Sequence, residues 1–418
     1  MGYWFLGGLN FLKQECGMHT TSMAVSDNEI ASGLALSQVS LTNFRNYESL
    51  RLNLQNITPC PIVLFGENGA GKTNLLEAIS YLSTGRGIRG SKLGDVSNIH
   101  SNKPWAVAAK LFGKSGAVDI GTGLGRTSSD EFSENGEGRD KRLVKIDGVN
   151  VSGPAALSQH ISLVWLTPKM DRLFNEGVGG RRKFFDQMVS GLDPNHSKQI
   201  SSYERAMRER IRLLTDQSLG SDPSWIGALE RKMAEHGVAI AASRIEVLAQ
   251  LSAQIKKALQ TAFPRADISL EGFLEKELGE YSALEVEEIF KSLLEKNRVE
   301  ERLTGRTLIG PHKTDMIVCH VDKEMPAHLC STGEQKALMI GIILAHGKML
   351  KNIQGAAPIL LLDEVAAHLD EGRRRLLFEE LMALGSQAWL TGTDKELFEF
   401  LLNQSEMFKV NDANLNRV

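Results

Sequence analysis

Apolar and polar positions follow two different periods in the first part of the chain. Residues 62–65 are apolar without a break, which is typical of a strand buried on both faces, and residues 74–82 place apolar side chains at helical spacing. Further short apolar or alternating runs predict strands over residues 34–41, 50–54, 105–111, 117–121 and 161–166. We therefore expect this part of the chain to be mixed α/β.

Two polar stretches interrupt these elements. Residues 122–140 are rich in Gly, Ser and acidic residues, which predicts a mobile loop. Residues 145–151 flank Asp147-Gly148, a dipeptide that favours a tight two-residue hairpin turn. The prediction is a loop followed by a β-hairpin.

Helical periodicity dominates residues 178–302. The longest predicted helices cover residues 198–215 and 224–262, and Pro264 follows the second. The turn between them is rich in Gly, Ser, Asp and Pro, so we expect an antiparallel helical hairpin. Another helix is predicted over residues 282–302. The block is therefore predicted to be a mostly helical lobe inserted into the α/β pattern.

The α/β pattern returns near residue 305. Strands and helices alternate again in this last part, which predicts that it completes the sheet begun by the first part. The predicted strands cover residues 316–321, 358–364, 387–391 and 407–410, and the predicted helices cover residues 333–350 and 371–384.

A glycine-rich motif joins the buried strand at residues 62–65 to the helix that follows it. The motif has the spacing G-x-x-x-x-G-K-T, and a strand-loop-helix context is what makes this spacing a phosphate site. Backbone N–H groups and the helix N-terminus would hold phosphate oxygens, Lys72 would reach the β- and γ-phosphates, and Thr73 would bind Mg²⁺. The predicted nucleotide-binding residues are Gly66, Glu67, Asn68, Gly69, Ala70, Gly71, Lys72 and Thr73.

Two carboxylates end the apolar strand predicted near residue 360. Such a pair is costly at a buried strand end unless a cation or a polar partner meets it, although two solvated acids are the plainer interpretation. Together with the glycine-rich motif, Asp363 is predicted to hold Mg²⁺ with Thr73, and Glu364 to act as the general base on water. Glu364 and Lys72 are the predicted catalytic residues, with ATP and Mg²⁺ as cofactors.

Three further segments resemble motifs of ABC-type ATPases. Residues 330–336 open a helix, and Ser331, Gly333 and Glu334 match the signature that contacts ATP of a partner subunit; a plain helix cap is the alternative. Asp370 matches the D-loop. The switch position, which usually carries His in transporters, is occupied by residues 391–394, so Thr391 or Thr393 is the expected substitute.

Charge and composition limit the choice of partners. The formal net charge of −3 means that any nucleic-acid site must be a local basic patch. Acidic residues are interleaved with the basic ones, so a solvated helix face and a solvated loop are the alternatives to DNA contact. The candidate DNA-binding residues are Arg86, Arg89, Lys92, Arg181, Arg182, Arg208 and Arg212.

Other features of the composition indicate a cytoplasmic protein without a membrane partner. The four cysteines are scattered and lack metal-ligand spacing, as expected for reduced thiols. We find no apolar stretch long enough to span a bilayer, and the first residues lack the basic start of a signal peptide. Residues 1–33 are expected to be a disordered extension, and Met18 and Met23 inside it are alternative translation starts.

Further motifs are spread over most of the chain. They lie at residues 41–47 (Leu-Thr-Asn-Phe-Arg-Asn-Tyr), 167–173, 181–186, 310–315 (Gly-Pro-His-Lys-Thr-Asp) and 332–337. Together they resemble the RecF family, the bacterial recombination mediator ATPases of the SMC-like superfamily. The departures from the family pattern are the N-terminal extension, Lys313 in place of Arg and Ile88 in place of Phe.

The resemblance implies an α/β fold, an ABC-type P-loop ATPase head with an inserted, mostly helical second lobe. The expected division is an N-terminal part of the head over residues 34–177, the lobe over 178–304 and a C-terminal part over 305–418. The resemblance also implies a homodimer that forms with ATP, slow DNA-stimulated ATP hydrolysis and binding at gapped or single-strand/double-strand junctions. RecR and RecO-type mediators, and indirectly RecA, are the implied protein partners.

Two other classes of protein share some of these features. A transporter nucleotide-binding subunit has the same motifs, but the interval between Lys72 and Ser331 is too long for one. An ATP-switched scaffold that does not act on DNA fits all the residues interpreted without the resemblance. DNA-stimulated hydrolysis would separate it from a DNA repair ATPase.

Overall fold

Three β-sheets form the framework of the chain in the residues that the structure, a computed structural model, describes: 33–101, 103–113, 116–126, 140–216, 222–257 and 263–418. The predicted extension over residues 1–33 lies, apart from Gly33, outside them. The strands are β1 Ala35–Phe44, β2 Tyr47–Asn53, β3 Ile62–Phe65, β4 Ala106–Gly113, β5 Gly116–Arg126, β6 Asp140–Ile146, β7 Val149–Val151, β8 Leu163–Leu166, β9 Ala266–Glu271, β10 Asp315–His320, β11 Met325–Pro326, β12 Ile359–Leu362, β13 Ala388–Gly392, β14 Glu406–Asn411 and β15 Asn414–Arg417.

The α-helices confirm most of the helical predictions, with ends that shift by a few residues. Residues 258–262, which were expected to continue the longest helix, lie outside the described residues. The α-helices in the described part of the chain are α1 Lys72–Ser80, α2 Val178–Ser190, α3 His196–Thr215, α4 Pro223–Lys257, α5 Phe273–Glu277, α6 Ala283–Lys296, α7 Arg298–Thr304, α8 Thr332–Gln354 and α9 Glu371–Leu384.

The central sheet has the strand order β15-β14-β3-β13-β12-β8, and all its neighbouring pairs are parallel except β14 with β15. Its short inner strands are apolar throughout because both faces are covered. Alternate residues face two different cores. Val63 and Leu360 join the core that contains α8, whereas Leu64 and Ile359 join the core that contains α1.

A second, antiparallel sheet with the order β2-β1-β4-β5-β6-β7 contributes to the core on the α1 side. The predicted mobile loop over residues 122–140 is partly wrong, since β5 continues to Arg126 and β6 begins at Asp140. The glycines there allow close strand packing: a Cβ at Gly123 would lie 2.8 Å from the Trp105 carbonyl oxygen. The predicted hairpin at Asp147-Gly148 is confirmed, with φ of 47° and 79°.

The helices α3 and α4 form the predicted antiparallel hairpin. Side-chain contacts pair Arg210 with Glu230 and Gln199 with His236, so positions that rise along α4 fall along α3. These helices share a core with α5 and α6. The sequence analysis missed β9, which lies inside the helical block and pairs antiparallel with β10.

The boundaries of the helical lobe stay a prediction. Phe184 and Phe185 of α2 lie in the core that contains α8, whereas the separate core of the helical block begins at Tyr203. The C-terminal half of α4, including Leu251, also packs in the α8 core. The buried side of α2 therefore belongs to the α8 core, and α4 contributes to both cores.

One helix contradicts the expectation that no stretch is long enough to span a bilayer. By length and composition alone, α4 could cross a membrane. Met233, Ala241 and Leu251 on its buried face pack in protein cores, and Arg244 on the same helix is ion-paired. In this structure α4 is a core helix with one face exposed.

Arg210 is a buried residue of the helical block and not part of its basic surface. Its guanidinium is 0% exposed, donates to Glu230 Oε1 at 2.9 Å and to the Leu294 carbonyl oxygen at 2.6 Å, and forms an ion pair with Glu301. Arg298 provides a second partner for Glu230. This network joins α3, α4 and α7.

Removing this buried cation should destabilise the protein. We expect Arg210→Ala to lower the free energy of unfolding by about 3–5 kcal/mol, because Glu301 would remain buried without its partner. Arg208→Ala is the matched control, since Arg208 is exposed and its pair with Glu204 should be worth only about 0.3–0.5 kcal/mol. Denaturant unfolding followed by circular dichroism measures both; equal effects would contradict the buried network.

Candidate nucleotide-binding and hydrolysis site

The glycine-rich loop leaves β3 and enters α1 at Lys72 without an intervening residue. Gly66 has φ 149° and Gly71 has φ 114°, which are conformations that side chains disfavour. A Cβ at Gly66 would lie 2.2 Å from the Val410 carbonyl oxygen, and one at Gly71 would lie 2.8 Å from Tyr47 Oη. The loop is therefore fixed by its neighbours β14 and β2 as well as by its own glycines.

Lys72 lies inside this loop. Its ammonium donates to the carbonyl oxygens of Gly66 at 2.5 Å and Glu67 at 2.8 Å. Burial lowers the pKa of Lys72, while the carboxylates of Glu364 and Asp363 oppose that shift. The ammonium is held by two loop carbonyls.

Asp363 is the buried centre of the site. It follows β12, and its Oδ1 accepts hydrogen bonds from the hydroxyls of Thr73 at 2.9 Å and Thr391 at 2.8 Å. Burial raises the pKa of Asp363, and the two threonine hydrogen bonds partly offset this effect. Three elements, β12, α1 and β13, meet at this carboxylate.

The pair of Thr73 and Asp363 fits a magnesium ion. Mg²⁺ usually takes one or two protein oxygens, keeps several waters and binds phosphate oxygens. No group of three or more His, Cys, Asp or Glu side chains that could hold a metal occurs in the described part of the chain. A hydroxyl beside one carboxylate at the end of the phosphate loop is a donor set for Mg²⁺ bound with a nucleotide.

Glu364 has an unusual backbone conformation. Its φ is 51°, in the left-handed region, which is strained for a residue with a side chain. Its N–H donates to Thr391 Oγ1 at 2.8 Å, and Lys336 Nζ lies 3.5 Å from its carbonyl oxygen. Two contacts thus hold the backbone of Glu364 directly after Asp363.

The two candidate switch threonines have different surroundings. Thr391 is 0% exposed. Its hydroxyl donates to Asp363 Oδ1 and accepts from the Glu364 N–H, so it supports both residues of the acidic pair. Thr393 is exposed and donates to Asp394 Oδ2 at 2.7 Å. Of these two candidates, Thr391 is the one that forms hydrogen bonds with the acidic pair.

Ser331 caps α8, as the plain helix-cap interpretation also expects. Its hydroxyl and N–H donate to Glu334 Oε2 at 2.8 and 3.0 Å, and the Glu334 N–H points back to Ser331 Oγ. Ser331 and Gly333 are exposed. The D-loop candidate Asp370 is exposed and caps α9 through the Arg373 N–H at 2.8 Å.

Sequence reasoning missed several residues that support the site. Lys336 Nζ, which lies near the Glu364 carbonyl oxygen, is also 3.6 Å from Asp171 Oδ2. Gln335 is buried, donates to the Cys330 carbonyl oxygen at 2.9 Å and accepts from Asn175. Their positions in the quoted motifs were the available signal, but the contacts join segments far apart in the chain.

Three of the candidate DNA-binding arginines, Arg89, Arg181 and Arg182, bond to groups on other segments of the protein, although Arg89 remains exposed. Arg89 shares the buried Glu77 carboxylate of α1 with Arg45. Arg181 forms a two-point ion pair with Asp315, with both N–O distances at 2.7 Å. Arg182 is half-buried, and burial lowers its pKa.

The other candidates are exposed, namely Arg86, Lys92, Arg208 and Arg212. Arg208 lies 3.3 Å from Glu204 in a surface pair. A cleft of about 490 Å³ between the loop after α1, β8 and the helices α2–α4 is lined by Arg86 and Arg182. The residues that surround Asp363 do not line this cleft.

A phosphate loop after β3, a pair of carboxylates at the end of β12, which β13 separates from β3, and a capped signature helix together define an ABC-type P-loop ATPase head. The model of the RecF/RecN/SMC N terminal domain matches residues 35–416. A protein of Mesorhizobium japonicum named DNA replication and repair protein RecF is 46% identical over 376 residues, covering 90% of this chain and 96% of the relative.

The other comparisons agree. The protein of the same name from Brucella suis is 45% identical over 387 residues, covering 92% of this chain and 97% of its own. A solved structure of the recombination mediator protein RecF with ATP, of the RecFOR pathway, shares the fold with a TM-score of 0.78 at 22% identity, covering 93% of this chain and 98% of the other. The chain belongs to the RecF family.

The raised pKa of Asp363 gives a prediction for the protein without nucleotide. A raised pKa means that the folded protein binds the Asp363 proton more tightly than the unfolded chain does. The stabilisation by this proton is lost as the pH rises. At neutral pH the buried carboxylate is ionised, which lowers the free energy of unfolding. Asp363→Asn removes the buried charge and keeps an oxygen for both threonines. We expect the variant without nucleotide to be more stable than wild type.

Thermal melting at pH 7 with and without Mg-ATP measures this effect. Mg-ATP should raise the melting temperature of wild type. Without nucleotide, Asp363→Asn should melt at a higher temperature than wild type, and Mg-ATP should raise its melting temperature only slightly. Asp322→Asn is the control, because Asp322 is exposed and paired with Arg265. A lower melting temperature for Asp363→Asn without nucleotide would show that the charge itself stabilises the empty site.

Proposed function

We propose that this protein is an ATP-switched, DNA-binding ATPase of DNA replication and recombinational repair. The observation that carries the proposal is the shared Asp363 carboxylate, which brings Thr73 of the phosphate loop and Thr391 of β13 together beside Glu364. ATP would supply the phosphoanhydride bond and Mg²⁺ the positive charge on its phosphate oxygens. The names of the relatives support the cellular role.

Each residue of the site has one proposed task. The loop from Gly66 to Thr73 binds the phosphates through its N–H groups and the N-terminus of α1. Lys72 leaves the loop carbonyls and donates to the β- and γ-phosphates, while Thr73 and Asp363 orient the ion. Glu364 accepts the proton of the attacking water, and Thr391 fixes its backbone.

The active unit is proposed to be a homodimer with composite sites. Ser331 is exposed at the N-terminus of α8, where backbone N–H groups attract anions. Among the described residues, its hydrogen bonds run to Glu334 and none reaches its own phosphate loop. A second subunit related by a two-fold axis would bring Ser331, Gly333 and Glu334 to the γ-phosphate, with Asp370 next to the interface.

The proposed DNA contacts are the exposed basic residues of the loop after α1 and of α3. DNA phosphates bind basic side chains that they can reach from solvent. Arg86, Lys92, Arg208 and Arg212 are exposed and meet this condition. Arg89, Arg181 and Arg182 would act by holding these surfaces in place. The preferred substrate would be gapped or single-strand/double-strand junction DNA, bound in the cytoplasm with RecR and RecO-type mediators that load RecA.

Replacing the proposed general base should separate binding from hydrolysis. We expect Glu364→Gln to bind Mg-ATP, to lose about 10²–10⁴-fold in hydrolysis rate and to accumulate as an ATP-bound dimer. Phosphate release measures the rate, and light scattering after gel filtration measures the dimer. Lys72→Ala is the control that should stay monomeric, because it loses the charge that binds the phosphates. A Glu364→Gln protein that stays equally monomeric would argue against the switch.

DNA binding should be strongly salt-dependent and should use the surface of α3. Log K should fall with log salt at roughly −0.9 times the number of phosphates contacted. Arg208→Glu with Arg212→Glu should weaken binding and make this slope shallower, measured by fluorescence anisotropy on duplex, single-stranded and gapped DNA with ATP. Lys141→Glu with Lys145→Glu on β6 makes the same change of four charge units elsewhere; an equal loss in both proteins would point to net charge alone.

A further inference from the structure

An ion pair lies directly beside the signature, and the roles given above do not use it. Lys323 Nζ forms an ion pair with Glu334 Oε1. The other oxygen of this carboxylate accepts the N–H and hydroxyl of Ser331 at 3.0 and 2.8 Å. Both oxygens of Glu334 are therefore engaged, one by the helix cap and the other by Lys323.

Glu334 creates an electrostatic problem for a site that receives phosphate. A phosphate oxygen that accepts from the Ser331 hydroxyl must approach the carboxylate to which that hydroxyl now donates. Two negative groups at such a separation repel each other unless a cation lies between or beside them. A charge next to Glu334 therefore decides how easily an anion reaches Ser331.

The turn that carries Lys323 is well anchored. A 3-10 turn spans Val321–Lys323, and the next residue, Glu324, has φ 49°. The Val321 N–H donates to the Arg265 carbonyl oxygen at 3.0 Å, and the Arg265 side chain lies 2.7 Å from Asp322. Because Asp322 has its own cation, the charge of Lys323 is available to Glu334.

The pair also faces outward, where a second molecule can approach. The side chains of Lys323 and Glu334 are 47% and 21% exposed. Lys323, together with the Ser331 hydrogen bonds, holds the pKa of Glu334 at about 2, so the carboxylate remains charged at physiological pH. The carboxylate of Glu334 thus keeps its negative charge, with the ammonium of Lys323 beside it.

We propose that Lys323 is a positioning residue of the signature. It neutralises Glu334, so that the Ser331 hydroxyl can donate a hydrogen bond to the γ-phosphate of ATP bound by a second copy of this chain. This inference rests on the proposed composite site. Lys323 does not touch reacting atoms in this proposal; it lowers the electrostatic cost of closing the dimer on ATP.

A double-mutant cycle tests the proposal. In the Glu364→Gln background, which removes hydrolysis, we expect Lys323→Ala to raise the ATP concentration for half-maximal dimerisation by roughly 5-fold. Lys323→Arg should stay near the parent. With Glu334→Gln present, adding Lys323→Ala should change the midpoint by less than about 2-fold, because no carboxylate remains to be neutralised. Lys296→Ala, on the exposed face of α6, is the matched control.

Two other readouts separate this role from a structural one. The melting temperature of Lys323→Ala and its affinity for ATP as a dilute monomer should equal those of the parent, since neither depends on dimer closure. An unchanged midpoint for Lys323→Ala would overturn the proposal. So would a 5-fold shift of equal size with Glu334→Gln present, because the effect would then not pass through that carboxylate.

The composite site has its own test. Lys72→Ala and Ser331→Ala, each impaired alone, should regain ATPase activity when mixed, because one site of each mixed dimer receives neither change. If the mixture stays inactive although subunit exchange is confirmed, the composite site and the Lys323 proposal fail together. If the mixture is active while Lys323→Ala behaves as the parent, only the role of Lys323 fails.

Discussion

The hydrogen-bonded carboxylate of Asp363 is the constraint on which the rest of the site depends. A buried carboxylate is expensive unless polar groups meet it. Thr73 and Thr391 do so at 2.9 and 2.8 Å, and they come from the helix after β3 and from β13. The carboxyl ends of β3, β13 and β12 must therefore keep their relative positions, and the phosphate loop and Glu364 are placed as a consequence.

A second set of charged contacts joins the helical block to the head. Arg181 of α2 grips Asp315 at the start of β10, and Arg244 of α4 reaches Asp186, Glu275 and the Pro311 carbonyl oxygen. The motif at residues 310–315 lies at the centre of these contacts. Through these contacts the motif connects α2 and α4 with the start of β10.

The signature shows how one local motif serves two purposes. Ser331 and Glu334 form a reciprocal helix cap, which stabilises the start of α8 in the isolated chain. The same hydroxyl is the proposed phosphate ligand across a dimer interface. The cap keeps Ser331 at the exposed end of the helix, and the pair of Lys323 and Glu334 sets the charge that an approaching nucleotide meets.

The sequence by itself determined the elements whose causes are local. Hydrophobic periodicity predicted the buried strands and long helices, and fixed spacing predicted the phosphate loop and the acidic strand end, because both depend on neighbouring residues. Short or glycine-rich strands such as β15 and the end of β5 carried too little periodic signal, whereas β9 does alternate over Ala266–Glu271 and was missed because it lies inside a block dominated by helical periodicity. The family motifs identified the class of ATPase without showing what each motif contacts.

Only the tertiary structure decided which polar groups meet. It placed Thr391 rather than Thr393 against Asp363, buried Arg210 against Glu230 and Glu301, and paired Arg181 with Asp315. The partners in these pairs are 20 or more residues apart, and a basic residue looks the same in sequence whether its partner is a carboxylate or solvent. Long-range packing determines that partner. A buried charge is tolerated only where the fold brings an opposite charge or a hydrogen-bonding partner to it.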